Sequence, residues 1–234
     1  MNSIGYGTTT LDYRLERQDR ATLAITVEPT GDVIVVAPET AGIHEVEALI
    51  RKRARWIIRQ QAYFTQFTPR TPPRRFIAGE THKYLGRQYR LRIEPGETRH
   101  VRMTRGFILV AGVEFNDTTS IEQLVNDWYR ERAQAQFERR LRENLSRFVD
   151  PEQHIPTSLR LQRMTTRWGS MSPGGRLLLN PVLVQAPANT IDYVITHELC
   201  HRVVPNHSRA FYELQTRVMP DWEARKMRLE RAMA

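Results

Sequence analysis

Hydrophobic and polar residues alternate in three short segments near the start of the chain, at residues 11–17, 22–27 and 32–37. Alternation with a period of two is typical of strands that bury one face, and Gly31 marks a turn before the third segment. From Ile43 to about Phe67 apolar residues recur at helical spacing instead, which predicts a helix. We therefore expect an antiparallel meander of three strands with this helix packed on it.

A proline-rich segment follows the first helix. Residues 68–73 read Thr-Pro-Arg-Thr-Pro-Pro, and proline, which lacks a backbone N–H, fits neither a helix interior nor a central strand. The segment predicts a boundary between an N-terminal subdomain, residues 1–67, and a larger domain, residues 76–234.

The larger domain mixes strand and helix patterns. Its predicted elements are, in chain order, a strand over 80–93 interrupted at Gly86, a hairpin over 101–110 around Arg105-Gly106, a helix from a cap at Ser120 to about Phe148, and strands at 159–164 and 176–180. Helices are also predicted at 208–218, with Phe211 and Leu214 inward, and from Trp222 to Met233. The pattern favours an α+β fold with a mixed or antiparallel sheet.

One more helix has apolar residues on most of its circumference. It begins near Asn189 or Thr190, either of which could cap it, and the apolar positions continue to Val204. Such a helix must be mostly buried. Pro205 cannot continue it, so the chain turns there.

This buried helix carries the sequence His197-Glu198-Leu199-Cys200-His201. Residues four apart lie about 40° apart around a helix, so both imidazoles can reach one metal ion. In this HExxH pattern the histidines bind zinc and the glutamate is the general base that acts on a zinc-bound water. The turn at Pro205 brings back His207 as a third ligand, which leaves a fourth position for water, as catalytic zinc requires. The pattern therefore predicts one Zn²⁺ per chain.

Two alternatives concern the ligand set. Glu213 or Glu223 could be the third ligand in place of His207. Cys200 could be proposed as a ligand too, but a free buried cysteine usually behaves as a small hydrophobe.

Charge and composition add expectations about partners and location. The net charge is +9, and residues 48–79 contain eight basic and no acidic side chains. The basic stretch at 51–75 is either a solvated helix face with a basic linker or a surface for nucleic acid or another polyanion. With no run of 18 apolar residues, no N-terminal signal pattern and a single cysteine, we expect a cytoplasmic protein with no membrane association.

Several short motifs occur together in a fixed order. They are Gly79-Glu80, Tyr84-Leu85-Gly86-Arg87, Arg167-Trp168-Gly169-Ser170, Asn180-Pro181, Asp192-Tyr193-Val194 before the HExxH residues, and Asn206-His207-Ser208 with Phe211 after them. From about residue 15 to 231 the chain resembles the YgjP-like family of zinc metallopeptidases, which is related to the SprT-like and WLM peptidases.

The resemblance implies a zincin-like fold and a zinc metallopeptidase that acts on peptides or proteins. It implies zinc ligands at His197, His201 and His207, with Glu198 as catalytic acid and base. The family's Arg-Trp-Gly-Ser segment is usually followed by cysteine, whereas Met171 stands here. That difference puts a thiol function of this loop in doubt and leaves the zinc residues intact.

The function expected from the sequence is zinc-dependent hydrolysis of peptide bonds. Candidate substrate or oxyanion contacts are Arg167, Trp168, Tyr193 and Asn206, with Tyr212 of suitable chemistry as well. One alternative is a zinc-dependent hydrolase of nucleotides or other phosphorylated molecules, although the chain has no glycine-rich phosphate loop. Another is a nucleic-acid-associated protease or binding protein.

Overall fold

The computed structural model describes residues 2–28, 30–66 and 72–234. The chain divides into two compact units, one within residues 1–70 and the other within residues 71–233, and each buries its own cluster of apolar side chains. The predicted boundary at 68–73 lies mostly outside the described residues, as does the predicted helix end at Phe67. The division into domains at 1–67 and 76–234 stays a prediction.

The first unit contains a four-stranded sheet and one helix. Its elements are β1 (Asn2–Tyr6), β2 (Thr9–Gln18), β3 (Ala24–Val27), β4 (Val33–Pro38) and α1 (Ile43–Thr65). The strand order is β1-β2-β4-β3, with β2 and β4 parallel and the other pairs antiparallel. The predicted antiparallel meander is wrong, because β2 pairs with β4 and not with β3. Strand β3 pairs with the other edge of β4.

Helix α1 confirms the helix predicted from Ile43. Its buried side chains are Val46, Ile50, Ala54 and Ile57, which follow the helical spacing of the sequence pattern. The basic side chains of α1 are all exposed to solvent: Arg51, Lys52, Arg53, Arg55 and Arg59. An exposed position fits both interpretations of the basic stretch, a solvated helix face and a surface for a polyanion.

The second unit begins with another four-stranded sheet. Its strands are β5 (Thr81–Tyr84), β6 (Arg87–Glu94), β7 (His100–Thr104) and β8 (Phe107–Ala111), in the order β5-β6-β8-β7. The predicted turn at Gly86, which has a φ of +78°, and the predicted hairpin around Arg105-Gly106 are both confirmed. Strands β6 and β8 are parallel.

A long helix and a small sheet follow. They are α2 (Thr118–Leu145), α3 (Pro151–His154), β9 (Ser158–Leu161), β10 (Gly169–Met171) and β11 (Arg176–Leu179). Asp117, and not Ser120, caps α2, because its carboxylate accepts a hydrogen bond from the Ser120 N–H at 3.0 Å. Strand β10 lies between the strands predicted at 159–164 and 176–180, where no strand was predicted, and it is an edge strand in the order β10-β11-β9.

The last part of the chain is helical. A 3-10 helix (Pro181–Gln185) leads into α4 (Ala188–Cys200), and α5 (Arg209–Val218) and α6 (Trp222–Met233) follow. Neither Asn189 nor Thr190 caps α4, because the helix begins at Ala188 and its N-cap residue is Pro187. Helix α4 packs against α2, α5, α6 and β10. It is therefore the central helix of the second unit.

The second unit combines helices with small mixed sheets, as an α+β fold does. No helix among residues 2–28, 30–66 and 72–234 is both long and apolar enough to cross a membrane.

Candidate metal centre

Helix α4 is buried along most of its length, as its apolar sequence predicts. Ten of its residues are buried, and they hold the histidines at the C-terminal end of the helix in a fixed place. After Cys200 the chain turns, with the Val204 N–H donating to the Cys200 carbonyl at 2.9 Å. This turn and Pro205 bring His207 back beside His197 and His201.

The three histidines meet through their Nε2 atoms. Nε2 of His207 lies 3.0 Å from Nε2 of His197 and 3.2 Å from Nε2 of His201. In the described part of the chain, no other set of three or more histidine, cysteine or acidic side chains converges in a way that could hold a metal ion. The carboxylate of Glu213 instead pairs with Arg209 on the exposed side of α5, and Glu223 is exposed on α6.

The other ring nitrogens of two histidines contact oxygen acceptors. Nδ1 of His201 lies 3.1 Å from the carbonyl oxygen of Val204, and Nδ1 of His197 lies 2.9 Å from Oε1 of Gln215. Because an oxygen of this kind only accepts, each Nδ1 carries the proton of its neutral ring. The Nε2 lone pairs of His197 and His201 therefore face the centre of the cluster.

This arrangement fits a single metal ion. Lone pairs that face one another repel, and a cation between them removes that repulsion. Nitrogens bound tetrahedrally to zinc at about 2.0–2.1 Å would lie about 3.3 Å apart, close to the separations of 3.0 and 3.2 Å. His197, His201 and His207 would hold the ion.

Phe211 supports the histidine cluster from α5. Its fully buried ring stacks on His201 with centroids 4.4 Å apart and meets His197 and His207 edge-on, each at 4.9 Å. Phe211 therefore restricts the rotation of all three imidazoles.

The surroundings of the cluster keep two histidines neutral. Burial lowers the pKa of His197 to about 4, with His201, His207 and Lys226 adding to the effect and the Gln215 hydrogen bond opposing it. Burial also lowers the pKa of His207, again with His201 and Lys226 contributing. Neutral imidazole is the form that binds a metal ion.

Glu198 projects from α4 into a cleft that the three histidines also line, and its side chain is only 6% exposed. Burial raises the pKa of its carboxyl to about 7, while a hydrogen bond from the Met171 N–H and the charge of Arg167 lower it. The backbone of Gly169 also lies against this side chain, since a Cβ there would be 2.9 Å from Glu198 Oε1. Strand β10 therefore fixes the position of the carboxylate.

The histidines and Glu198 line a cleft of about 400 Å³. Of the predicted contact residues, Arg167, Trp168 and Tyr193 line it, whereas Asn206 is exposed and is not among the lining residues. Tyr212 lies just outside, stacked on His207 with centroids 6.2 Å apart. The buried Cys200 does not belong to the histidine cluster, and burial raises the pKa of its thiol to about 12.

A buried polar network ties α4 to α2. Arg140 Nη1 and Asn144 Nδ2 donate to the same oxygen of Asp192, at 2.8 and 3.0 Å. Thr196 donates to Asn144 Oδ1 at 3.1 Å. Since Thr196 directly precedes His197, this network helps to fix the rotation of α4 about its axis.

Several residues of the site escaped prediction from the sequence. Gly169, Ser170 and Met171 reach the cleft because β10 packs on α4, and Glu230 reaches it from α6. Gln215 contacts His197 from α5. Its spacing of four from Phe211 is the one available signal, because residues four apart share a helix face.

Comparison with known proteins adds evidence of a different kind. No curated protein and no solved structure matches the chain. The family model for the YgjP-like metallopeptidase domain, in contrast, matches residues 21–232 of the 234 in the chain. With a match over nearly its whole length, the chain belongs to the YgjP-like metallopeptidase family.

Proposed function

We propose that this protein is a zinc metallopeptidase of the HExxH type with a zincin-like fold, which hydrolyses peptide bonds in a peptide or protein substrate. The family implies a divalent metal ion, typically zinc. The observation that carries the proposal is the convergence of three imidazoles, with Nε2 of His207 3.0 Å from that of His197 and 3.2 Å from that of His201, next to a buried glutamate in one cleft.

His197, His201 and His207 are the proposed zinc ligands. When bound, zinc supplies a Lewis acid that lowers the pKa of a water molecule to about 7 and polarises a carbonyl group. Nitrogen donors of this type and number are common for zinc in catalytic sites. Their neutral state, favoured by burial of His197 and His207, leaves the ligand lone pairs available.

Glu198 is the proposed general base and acid. Its carboxylate accepts a proton from the attacking water as the water oxygen bonds to the substrate carbonyl carbon. It then gives the proton to the leaving amine as the C–N bond breaks. The Met171 N–H holds the carboxylate in place for both transfers.

The substrate lies in the cleft beside strand β10. Because β10 is an edge strand that lines the cleft, an extended peptide can add to it through backbone hydrogen bonds. Arg167, Trp168 and Tyr193 line the same cleft and are the proposed substrate or oxyanion contacts.

The test is the substitution Glu198→Gln. Glutamine has nearly the shape of glutamate but cannot take up a proton from water. We expect the variant to keep one zinc per chain and the wild-type fold, while peptide hydrolysis under single-turnover conditions falls by at least about 10²–10⁴-fold.

Glu213→Gln is the matched control, since Glu213 is an exposed glutamate paired with Arg209 outside the cleft. It should cleave at the wild-type rate. His207→Ala should lose zinc occupancy, and chelation should abolish wild-type activity until zinc is restored. A Glu198→Gln variant that cleaves like the wild type would contradict the mechanism, and one that loses zinc would make Glu198 a ligand.

The two alternatives from the sequence receive no support. The family match concerns a metallopeptidase domain, and neither nucleotide hydrolysis nor nucleic-acid binding follows from it. The basic side chains of α1 are exposed, and exposure alone does not identify a polyanionic partner.

A further inference from the structure

Gln215 is a fully buried polar residue at the candidate metal centre. It lies on α5 one turn after Phe211, and its Oε1 is 2.9 Å from Nδ1 of His197. Its Nε2 has no hydrogen-bond partner among the residues that the structure describes. A buried amide nitrogen without a partner destabilises the fold. The Gln215 side chain thus accepts a hydrogen bond from His197 while its own NH₂ group is left without an acceptor.

The two orientations of this amide have opposite consequences for His197. With the amide oxygen towards the ring, Nδ1 carries the proton and the Nε2 lone pair faces His201 and His207. With the NH₂ group towards the ring, Nδ1 must accept, so a neutral ring carries its proton on Nε2. That proton would occupy the direction in which a metal ion binds.

We propose that Gln215 is a positioning residue that holds His197 in the tautomer with the proton on Nδ1, and so keeps its Nε2 available to the metal ion. The inference rests on the proposed zinc site. Hydrogen bonds from metal-ligating histidines to a second group generally fix both the tautomer and the ring orientation.

The acceptors for the Nδ1 atoms of His197 and His201 differ in how easily a substitution removes them. Nδ1 of His201 contacts the carbonyl oxygen of Val204, a backbone group that every residue at position 204 would supply. The acceptor for His197 is a side chain, so a single substitution removes it. Gln215 is thus a position at which sequence changes can tune the metal affinity of this site.

The test compares Gln215→Met with Gln215→Glu. Methionine has a similar length and no strong acceptor, whereas glutamate keeps an oxygen acceptor and lacks the unpartnered NH₂ group. The zinc dissociation constant is measured by competition with a chromogenic chelator at fixed pH. We expect it to rise about 10–100-fold in Gln215→Met and to stay at or below the wild-type value in Gln215→Glu.

A second readout reports the tautomer directly. In metal-free protein labelled with ¹⁵N, the ring nitrogens of His197 distinguish the two tautomers by chemical shift. The wild type and Gln215→Glu should show the proton on Nδ1, and Gln215→Met should show a mixture that includes the Nε2–H form. Loosening of α5 alone would not produce this pattern.

Val218→Ala is the matched control on the same helix, because it removes partly buried apolar volume at the end of α5. It should lower stability and leave the zinc affinity unchanged. Equal zinc affinity in Gln215→Met and wild type would overturn the proposal, as would an equal loss in the Met and Glu variants.

Peptide hydrolysis by the wild type is followed in parallel. If zinc affinity follows the expected order but no peptide is cleaved, the positioning role of Gln215 stands and the proposed peptidase function fails. If the wild type cleaves peptides in a zinc-dependent manner and the Gln215 variants bind zinc as tightly as the wild type, the peptidase function stands and the positioning role of Gln215 fails.

Discussion

Gly169 and Glu198 approach so closely that position 169 has room for glycine alone. A Cβ at this position would lie 2.8 Å from Glu198 Cγ, a separation that real Cβ atoms almost never show, and 3.1 Å from Val194 Cγ1. The backbone of β10 therefore sets the position of the proposed base.

Substituting Gly169→Ala should move the Glu198 carboxylate. Because a displacement of about 1 Å can cost about 10²-fold in rate, we expect kcat to fall by about that factor while zinc occupancy is unchanged. Steady-state kinetics and metal analysis would check both. The control is Gly174→Ala in the same hairpin, where the new methyl group would have its nearest neighbour, Ser172 Oγ, at 4.0 Å. Similar kinetics in the two variants would contradict the positional role.

The pKa of Glu198 predicts how pH affects the stability of metal-free protein. Burial raises that pKa from 4.5 to about 7, so the folded state keeps a proton that the unfolded state has lost. This contribution to stability is fully present below about pH 4.5 and is lost as pH rises through about 7.

We therefore expect wild type to lose stability relative to Glu198→Gln between pH 5 and 8, by an amount on the order of 3 kcal/mol. Urea unfolding of both metal-free proteins at the two pH values measures it. The comparison cancels the titration of groups that the two proteins share. A difference that does not change with pH would show that the carboxyl is not perturbed in this way.

The sequence was most informative where the residues of the site are close neighbours in the chain. His197, Glu198, His201 and His207 fall within eleven residues, so helical geometry and one proline turn were enough to predict their convergence. Gly169, Met171 and Gln215 each lie 18 or more residues along the chain from the site residue that they contact, Glu198 or His197. No local periodicity indicates the contacts of Gly169 and Met171, and for Gln215 the one signal is its place four residues after Phe211; the contacts themselves arise when β10 and α5 pack on α4.

At the scale of elements, α4 depends on its attachment to α2. Arg140 is 8% exposed, and its guanidinium and the Asn144 amide share one oxygen of Asp192. A buried ion pair is not a strong source of stability by itself, but removal of one partner leaves an unpaired charge.

Asp192→Ala should consequently destabilise the protein by about 3–5 kcal/mol, as measured by urea unfolding at a fixed zinc concentration. The control is Glu143→Ala on α2, which removes the acidic partner of Arg139, an exposed residue of that helix. An exposed pair contributes about 0–1 kcal/mol, so this variant should stay close to wild type. Equal losses in both variants would show that the buried network has no special role.

Prediction of the elements succeeded where local patterns were long and failed where pairing is remote. The helix from Ile43 and the hairpin of β7 and β8 followed from periodicity and turn residues. Strand β1 was missed because Ile4 is its one buried residue, and β10 because it has three residues. The parallel pairing of β2 with β4 depends on where β3 returns, which alternation does not specify.

At the scale of the whole molecule, the two units have separate apolar clusters. The cluster of the first unit is formed by residues between 4 and 64, and that of the second by residues between 76 and 233. The family match nevertheless begins at residue 21, inside the first unit.

We predict that a chain reduced to residues 72–234 folds and binds zinc, because the entire candidate site and its supporting core lie in the second unit. Circular dichroism should show a cooperative thermal transition, and metal analysis about one zinc per chain. The full-length protein is the reference for both measurements. A shortened chain that is unfolded in the presence of zinc would mean that the first unit is required for folding.

The short separation of the three histidines also affects the order in which the protein folds. Because His197 and His207 are ten residues apart, bringing them together costs little loop-closure entropy, whereas Arg140 and Asp192 are 52 residues apart. We expect zinc to bind weakly to the unfolded chain through the same histidines, and binding to the unfolded state reduces the stabilisation that a ligand gives. Zinc should therefore form the turn after α4 early in folding, and raise the melting temperature by less than its affinity for the folded protein alone would suggest.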